Sequence, residues 1–199
     1  MRFGAYEQIV DWIKDSKEWL DAQYFNKTVK GQWNDDWNKT MGSESKVFAF
    51  SGVTTKHFAC NNQEDNRMGV DACVSERALR EIYFRGFEIA VKKSAPVSIM
   101  TSYNLINGVH AANSRDLCTV VVREEWGFEG TIMSDWNTTV PEDGSEPWKC
   151  AAAGNDIIMP GNTNDDADIR DAYEKGLHSE REIRSCAGRI IAMIDKLAK

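Results

Sequence analysis

Apolar positions recur at two spacings along this chain, and the change of spacing marks its organisation. In YEQIVDWIKDSKEWLDAQYF the residues Tyr6, Ile9, Ile13, Leu20 and Tyr24 fall at near-helical intervals, which predicts a helix. The stretch behind it, KGQWNDDWNKTMGSES, reads as loop. From residue 46 onward the pattern becomes an alternation of strands and helices. Apolar runs of strand length occupy Val47–Val53, Pro96–Tyr103, Gly130–Asp135 and Asn155–Met159. Between them, SERALREIYFRGFEIAVKK puts Leu79, Ile82, Tyr83, Phe87 and Ala90 on one helical face, behind Ser75 as N-cap. SRDLCTVVVREEW repeats the pattern with Leu117, Val120 and Val121, and Gly127 is its stop. The AAAG at 151–154 ends a further helix, and 179–197 forms the last. No internal repeat is visible.

Strands that are continuous apolar runs and alternate with helices belong to parallel sheets covered on both faces. Two architectures meet that description, a doubly wound sheet and a (β/α)8 barrel. No GxGxxG or GxxxxGK follows any strand, which weakens the nucleotide-binding alternative. Polar residues gather instead at several strand ends: Lys56 and His57, Met100 to Tyr103, then Asp135 and Trp136. Spreading function over many strand ends is a barrel habit. A complete barrel takes about 250 residues, and only about four βα units are legible here. The expected fold is therefore α/β, a partial (β/α)8 TIM barrel over residues 46–199. Residues 1–45 form a mainly helical or irregular segment of their own.

Composition changes this picture by exclusion. The formal net charge is -7 and no run of consecutive Lys and Arg is longer than two, which argues against nucleic acid and against an anionic membrane surface as partners. The N-terminal stretch MRFGAYEQIVDWIKDSKEW is broken by charges and lacks the apolar centre of a secretory signal. Cys60, Cys73, Cys118, Cys150 and Cys186 are scattered and never form CxxC, as expected of reduced thiols in a cytoplasmic protein. On that basis the N-x-T matches at Asn26, Asn38 and Asn137 are expected to be unglycosylated. His110 and His178 have no companions at ligand spacing, and the Asn162–Asp168 alternation fails the EF-hand pattern at Ala167 and Tyr173. No metal and no cofactor are expected. Asn162 onward reads as a solvated helix start, and Ser134 lies in no GxSxG elbow.

One strand ends unusually. GTIMSDW closes an apolar run on a carboxylate, Asp135, with an aromatic ring directly behind it. Taken alone, Asp135 reads better as a helix cap than as a catalytic group. Its neighbours in sequence decide. TKHFACNNQEDNR (55–67), SERALREIY (75–83), SIMTSYNLINGVHAANS (98–114), LCTVVVREEWGFEGTIMSDW (117–136) and AGNDIIMPG (153–161) resemble, in order, blocks of glycoside hydrolase family 3. The resemblance covers roughly residues 46–199, and the closing EKGLHSEREIRSCAGRIIAMID resembles the helix pair that ends the family's barrel domain.

The resemblance implies a retaining β-glycosidase of β-glucosidase type, acting on β-glycosides or oligosaccharides. It makes Asp135 the nucleophile, Trp136 an aromatic lining the sugar site, and Lys56 and His57 the pair that hydrogen-bonds sugar hydroxyls. Met100 and Tyr103 match residues flanking the nucleophile. These types suit the chemistry: the nucleophile must be ionised, and a cation such as Lys56 would hold its pKa down. A Trp face suits the C–H side of a pyranose. Ala59–Cys60–Asn61 stand where the family's β-N-acetylglucosaminidases carry a KHFPGxG-type pattern, which disfavours that subgroup. Asn137 stands where relatives often carry glycine.

In the family the general acid/base Glu usually comes from a separate α/β sandwich domain, and no stretch here resembles one. Glu64, Glu76, Glu88, Glu124 and Glu142 are carboxylates without an assigned role. The alternative implied is a catalytically inactive truncated member that binds sugar or another protein. Half a barrel would also leave sheet edges open, so association with a complementary fragment or with itself is expected.

Overall fold

The computed structural model describes residues 52–197. The helix expected around Tyr6–Tyr24 and most of the strand expected at Val47–Val53 lie outside them. Within them the fold is α/β, with a parallel sheet. Four strands, β1 (Thr54–Phe58), β3 (Ser98–Thr101), β6 (Thr131–Trp136) and β7 (Ile157–Met159), lie side by side in that order, all parallel. A small second sheet joins β2 (Asp71–Ala72), β4 (Leu105–Ile106) and β5 (Val109–His110). Two-residue strands carry no periodic signal, and the sequence pattern gave no hint of them.

Three of the four long strands fall where the apolar runs put them. Of the run expected at Val47–Val53 only Gly52 and Val53 are described; they are not strand, and pairing begins at Thr54. Val53 still accepts hydrogen bonds from the Val97 and Ser98 amides, and the polar TTKHF forms the described strand. Lys56 and His57 thus sit within β1 instead of beyond its end.

The first helical stretch is interrupted. Ser75 caps α1 (Glu76–Ala78) by accepting from the Ala78 amide. A π-helical turn over Leu79–Tyr83 follows, and then α2 (Arg85–Ser94). The Phe84 amide bonds the Leu79 carbonyl, five residues back, at 2.7 Å. That extra residue moves the buried face from the one a 3.6 period would choose. Leu79, Phe84, Ala90 and Val91 are buried, while Ile82, expected in the core, is 44% exposed. The Asp116–Glu125 helix is π-helical too, and its core positions are Leu117, Cys118, Val121 and Val122, with Val120 only half-buried.

α3 (Pro147–Ala153) stops at Gly154 in the left-handed region, φ 87°. A capping box between Asn162 and Asp165 opens α4 (Thr163–Glu174), and α5 (Glu180–Leu197) is the last helix. None of the described helices is long and apolar enough to cross a membrane.

Register explains how the core and the site divide the sheet. Ile99 pairs with Ile132, and both lie fully buried against the helices, with Phe58 on the same side. Phe58 packs on Phe84, Phe87 and Trp126, with ring centroids 5.0–5.6 Å away. By the two-residue alternation of strands, Met100 and Met133, which pair with each other, project from the opposite face, and so does Asp135.

Below the site, Asp156 ties three elements together. Its buried carboxylate accepts from Arg123 (2.7 Å), from Arg189 of α5 (2.7 Å) and from the Ile132 amide (2.8 Å).

Candidate functional site

Both interruptions of pairing in the large sheet fall at the C-terminal ends of strands. Register shifts between Thr55 and Phe58 in β1 and between Met133 and Trp136 in β6. Such irregularities re-aim side chains, and here they deliver His57 and Asp135 to each other. His57 Nε2 lies 3.2 Å from Asp135 Oδ2. The other carboxylate oxygen, Oδ1, accepts from the Trp136 amide at 2.7 Å. Asp135 is 9% exposed, so a carboxylate is held nearly buried with a donor on each oxygen. Ser134 stiffens the same strand end: its hydroxyl donates to the Asp135 carbonyl and accepts from the Met159 amide of β7.

Trp136 has two parts in different surroundings. Its backbone is anchored by the Asp135 contact and by Tyr103, whose hydroxyl donates to the Trp136 carbonyl at 2.7 Å. Its side chain is free, and the residue is 52% exposed. Asn137 then takes φ 58° as the chain turns away. That is the left-handed region which glycine favours and Asn tolerates among other residues, so a glycine at this position would fit the same backbone. Tyr103 is buried, and burial first, then the Asp135 charge, push its pKa above the usual phenol value.

Of the expected site residues, then, His57, Tyr103, Asp135 and Trp136 form one connected group. Met100 is half-buried on the Asp135 face of the sheet, one strand over. Lys56 is exposed, and the side chain that contacts Asp135 is His57 instead.

Sequence reasoning passed over Arg67. It closes the polar loop after β1, and its guanidinium stacks 4.4 Å from the centre of the Tyr103 ring. Its charge is anchored by Glu64 at 3.0 Å, which in turn accepts from Asn61 at 2.9 Å. The available signal was position alone: a charged residue in a loop at the C-terminal end of a parallel strand. Among the carboxylates without a role, Glu76 and Glu88 lie on α1 and α2 in pairs with Arg80, Arg85 and Lys92, and Glu124 lies 3.8 Å from Arg115. Glu64 and Glu142 are the two that lie in loops after strands of the large sheet. The Arg67 hydrogen bond, followed by that of Asn61, pushes the Glu64 pKa below the usual carboxylate value. That favours its ionised form and makes it a poor proton donor near neutrality.

Residues 38–193 match the sequence model of the glycosyl hydrolase family 3 N-terminal domain. An exo-α-(1→6)-L-arabinopyranosidase from Bifidobacterium longum is 46% identical over 145 residues, 73% of this chain and 18% of its own length. A β-glucosidase from Ruminococcus albus is 49% identical over 111 residues, 53% of this chain and 12% of its own. Among solved structures, β-glucosidase 3B from Thermotoga neapolitana in complex with glucose superposes with a TM-score of 0.63 at 48% identity, over 68% of this chain and 19% of that one. The Bifidobacterium adolescentis β-glucosidase gives 0.66 at 42%, over 73% and 21%. The chain spans about a fifth or less of the length of these relatives.

Proposed function

The chain belongs to glycosyl hydrolase family 3, and on that premise we propose that it carries the nucleophile-bearing part of a retaining β-glycosidase site of β-glucosidase type, with Asp135 as nucleophile. The observation that carries this reading is the setting of Asp135, a nearly buried carboxylate at a strand end, braced by His57 and by its neighbour's amide, beside an exposed indole face. The four strands are consecutive strands of a (β/α)8 barrel. Their spatial order follows their chain order without reversal, in contrast to a doubly wound sheet, which reverses at a switch point.

In the reaction, an Asp135 oxygen attacks the anomeric carbon as the glycosidic C–O bond breaks, giving a glycosyl ester. Water then displaces the carboxylate. The attacking carboxylate must be ionised, and each of its oxygens has a polar partner in His57 or the Trp136 amide, which must also suit the leaving carboxylate in the second step. Trp136 stacks on the C–H face of the pyranose. Arg67, Lys56 and His57 meet sugar hydroxyls, and the buried Tyr103 hydroxyl holds the strand ends in place, with Met100 on the Asp135 face of the sheet. The proton for the leaving group comes from an acid outside this group.

A second reading rests on Glu64: with that loop carboxylate ion-paired, the site binds sugar without a proton donor of its own, and the chain is a sugar-binding module. One experiment separates the two. The chain is incubated with an activated 2-deoxy-2-fluoro glycoside and weighed intact. Wild type should gain one sugar and Asp135→Asn none, because a good leaving group needs no proton. Binding without any adduct would overturn the enzymatic reading and leave the module.

A further inference from the structure

We propose that His110 is a positioning residue that works in its doubly protonated form, tying the strand end that carries Tyr103 to the loop that follows Trp136. Both ring nitrogens face backbone carbonyls: Nδ1 lies 3.0 Å from the Tyr103 oxygen and Nε2 lies 2.9 Å from the Asp143 oxygen. A carbonyl only accepts, and a neutral imidazole has one N–H. A single tautomer therefore satisfies one of these contacts and turns a nitrogen lone pair on the other oxygen. Protons on both nitrogens satisfy the two together, and they make each bond charge-assisted.

The two carbonyls belong to elements that matter to the site. Tyr103 is the residue whose hydroxyl holds the Trp136 carbonyl. Asp143 lies in the loop running from Asn137 to α3, which folds on itself through the Gly144 amide to Pro141 and the Ser145 amide to Thr138. Three residues beyond His110, Asn113 grips the same loop by accepting from the Glu146 amide and donating to the Glu146 carbonyl, both at 2.9 Å. The loop is thus held at two points by the β5 segment. The Asn113 point is an amide and indifferent to pH, whereas the His110 point depends on a proton.

Charged and titratable groups of both signs stand around this point. β4, paired with β5, carries Leu105 and Ile106, neither titratable, and the adjoining β2 carries Asp71, which holds the Gly108 amide. The loop contributes Glu142, Asp143 and Glu146, the last paired with Lys149. On the β3 side stands Tyr103 with Arg67 over its ring, and past Trp136 come Asp135 and His57. As pH rises through the range in which histidines titrate, the clamp loses one of its two bonds, and the loop after Trp136 is freed from the Tyr103 strand. The consequence for sugar handling rests on the reading of Asp135 and Trp136 given above; the clamp itself does not.

The test is imidazole ¹⁵N NMR on the full chain, with amide exchange across about pH 5 to 9 and His110→Gln as comparison. The expected result is a His110 ring protonated on both nitrogens on the acid side. The protection of the Gly144 and Ser145 amides, corrected for intrinsic exchange, should fall about tenfold as that proton leaves, and this dependence should vanish in His110→Gln. A singly protonated His110 throughout would overturn the proposal. So would loop protection indifferent to the His110 transition, or a pH dependence that survives in His110→Gln. If the variant does not fold, the wild-type titration decides alone. No sugar is used, so failure here leaves the Asp135 reading standing, and absence of a covalent adduct leaves this one standing.

Discussion

His57 and Asp135 meet at 3.2 Å although they come from strands that are not neighbours, with β3 running between them. The pairing interruptions in β1 and β6 let the two side chains reach over the intervening strand end. The imidazole thereby takes the position beside the carboxylate that sequence reasoning gave to Lys56. Replacing His57 by Ala should slow covalent labelling by the fluoroglycoside about 10- to 100-fold, the worth of one hydrogen bond to a charged group. Lys56→Ala should leave the chemistry of Asp135 intact and weaken only sugar affinity. Labelling rates against inhibitor concentration separate the two effects.

Tyr103→Phe removes the hydroxyl bound to the Trp136 carbonyl and should lower stability by about 1 kcal/mol in urea denaturation. It should also alter the pH profile. The folded protein favours the protonated phenol, since burial and the Asp135 charge raise its pKa. That preference is fully present below the unfolded value of about 10 and is lost as pH rises through the higher folded value. Thermal melting of wild type should therefore drop more steeply above about pH 10 than that of Tyr103→Phe.

Asp156→Ala should be the most damaging of the polar changes. It strands Arg123 and Arg189, both largely buried, and orphans the Ile132 amide. Breaking such a cluster by removing one partner costs about 3–5 kcal/mol, measurable as a lower urea midpoint. Because Ile132 lies in the strand that ends in Asp135, labelling should fall with stability.

Gly154→Ala offers a backbone test. The residue has φ 87°, and an added Cβ would meet the Thr119 hydroxyl at 2.7 Å. A loss of about 1–3 kcal/mol is expected, and Thr119→Ala in the same chain should relieve only the contact part of it.

Phe58 links core to site. It is fully buried among Phe84, Phe87 and Trp126 and adjoins His57 in sequence. Phe58→Ala should cost about 3–5 kcal/mol, and Phe58→Leu, milder in stability, should still depress labelling, since the strand that aims His57 loses its anchor.

Much of this was legible from the residues. Ile99 and Ile132 announce buried strands because both faces of a covered parallel sheet favour β-branched residues. Gly154 and the Asn162–Asp165 box declare helix ends through backbone chemistry that depends on a few adjacent residues. Ile82 is exposed and Phe84 buried because a π turn adds a residue to the repeat, and a 3.6-residue template cannot register that. Thr54–Phe58 went unread for the opposite reason: a strand whose residues divide between core and site has no apolar run to display. Arg67 was illegible because stacking over Tyr103 depends on the path of a loop, which no periodicity encodes.

Trp136 divides its duties cleanly between backbone and ring. Its amide steadies Asp135, its carbonyl receives Tyr103, and neither bond involves the indole. The aromatic surface can therefore be exchanged, by natural variation or by design, while the posture of the carboxylate stays fixed. On the proposed reading of Asp135 as nucleophile and Trp136 as sugar platform, sugar preference and bond-breaking capacity become separately heritable traits of one residue pair, and a library at position 136 alone should explore the first without eroding the second.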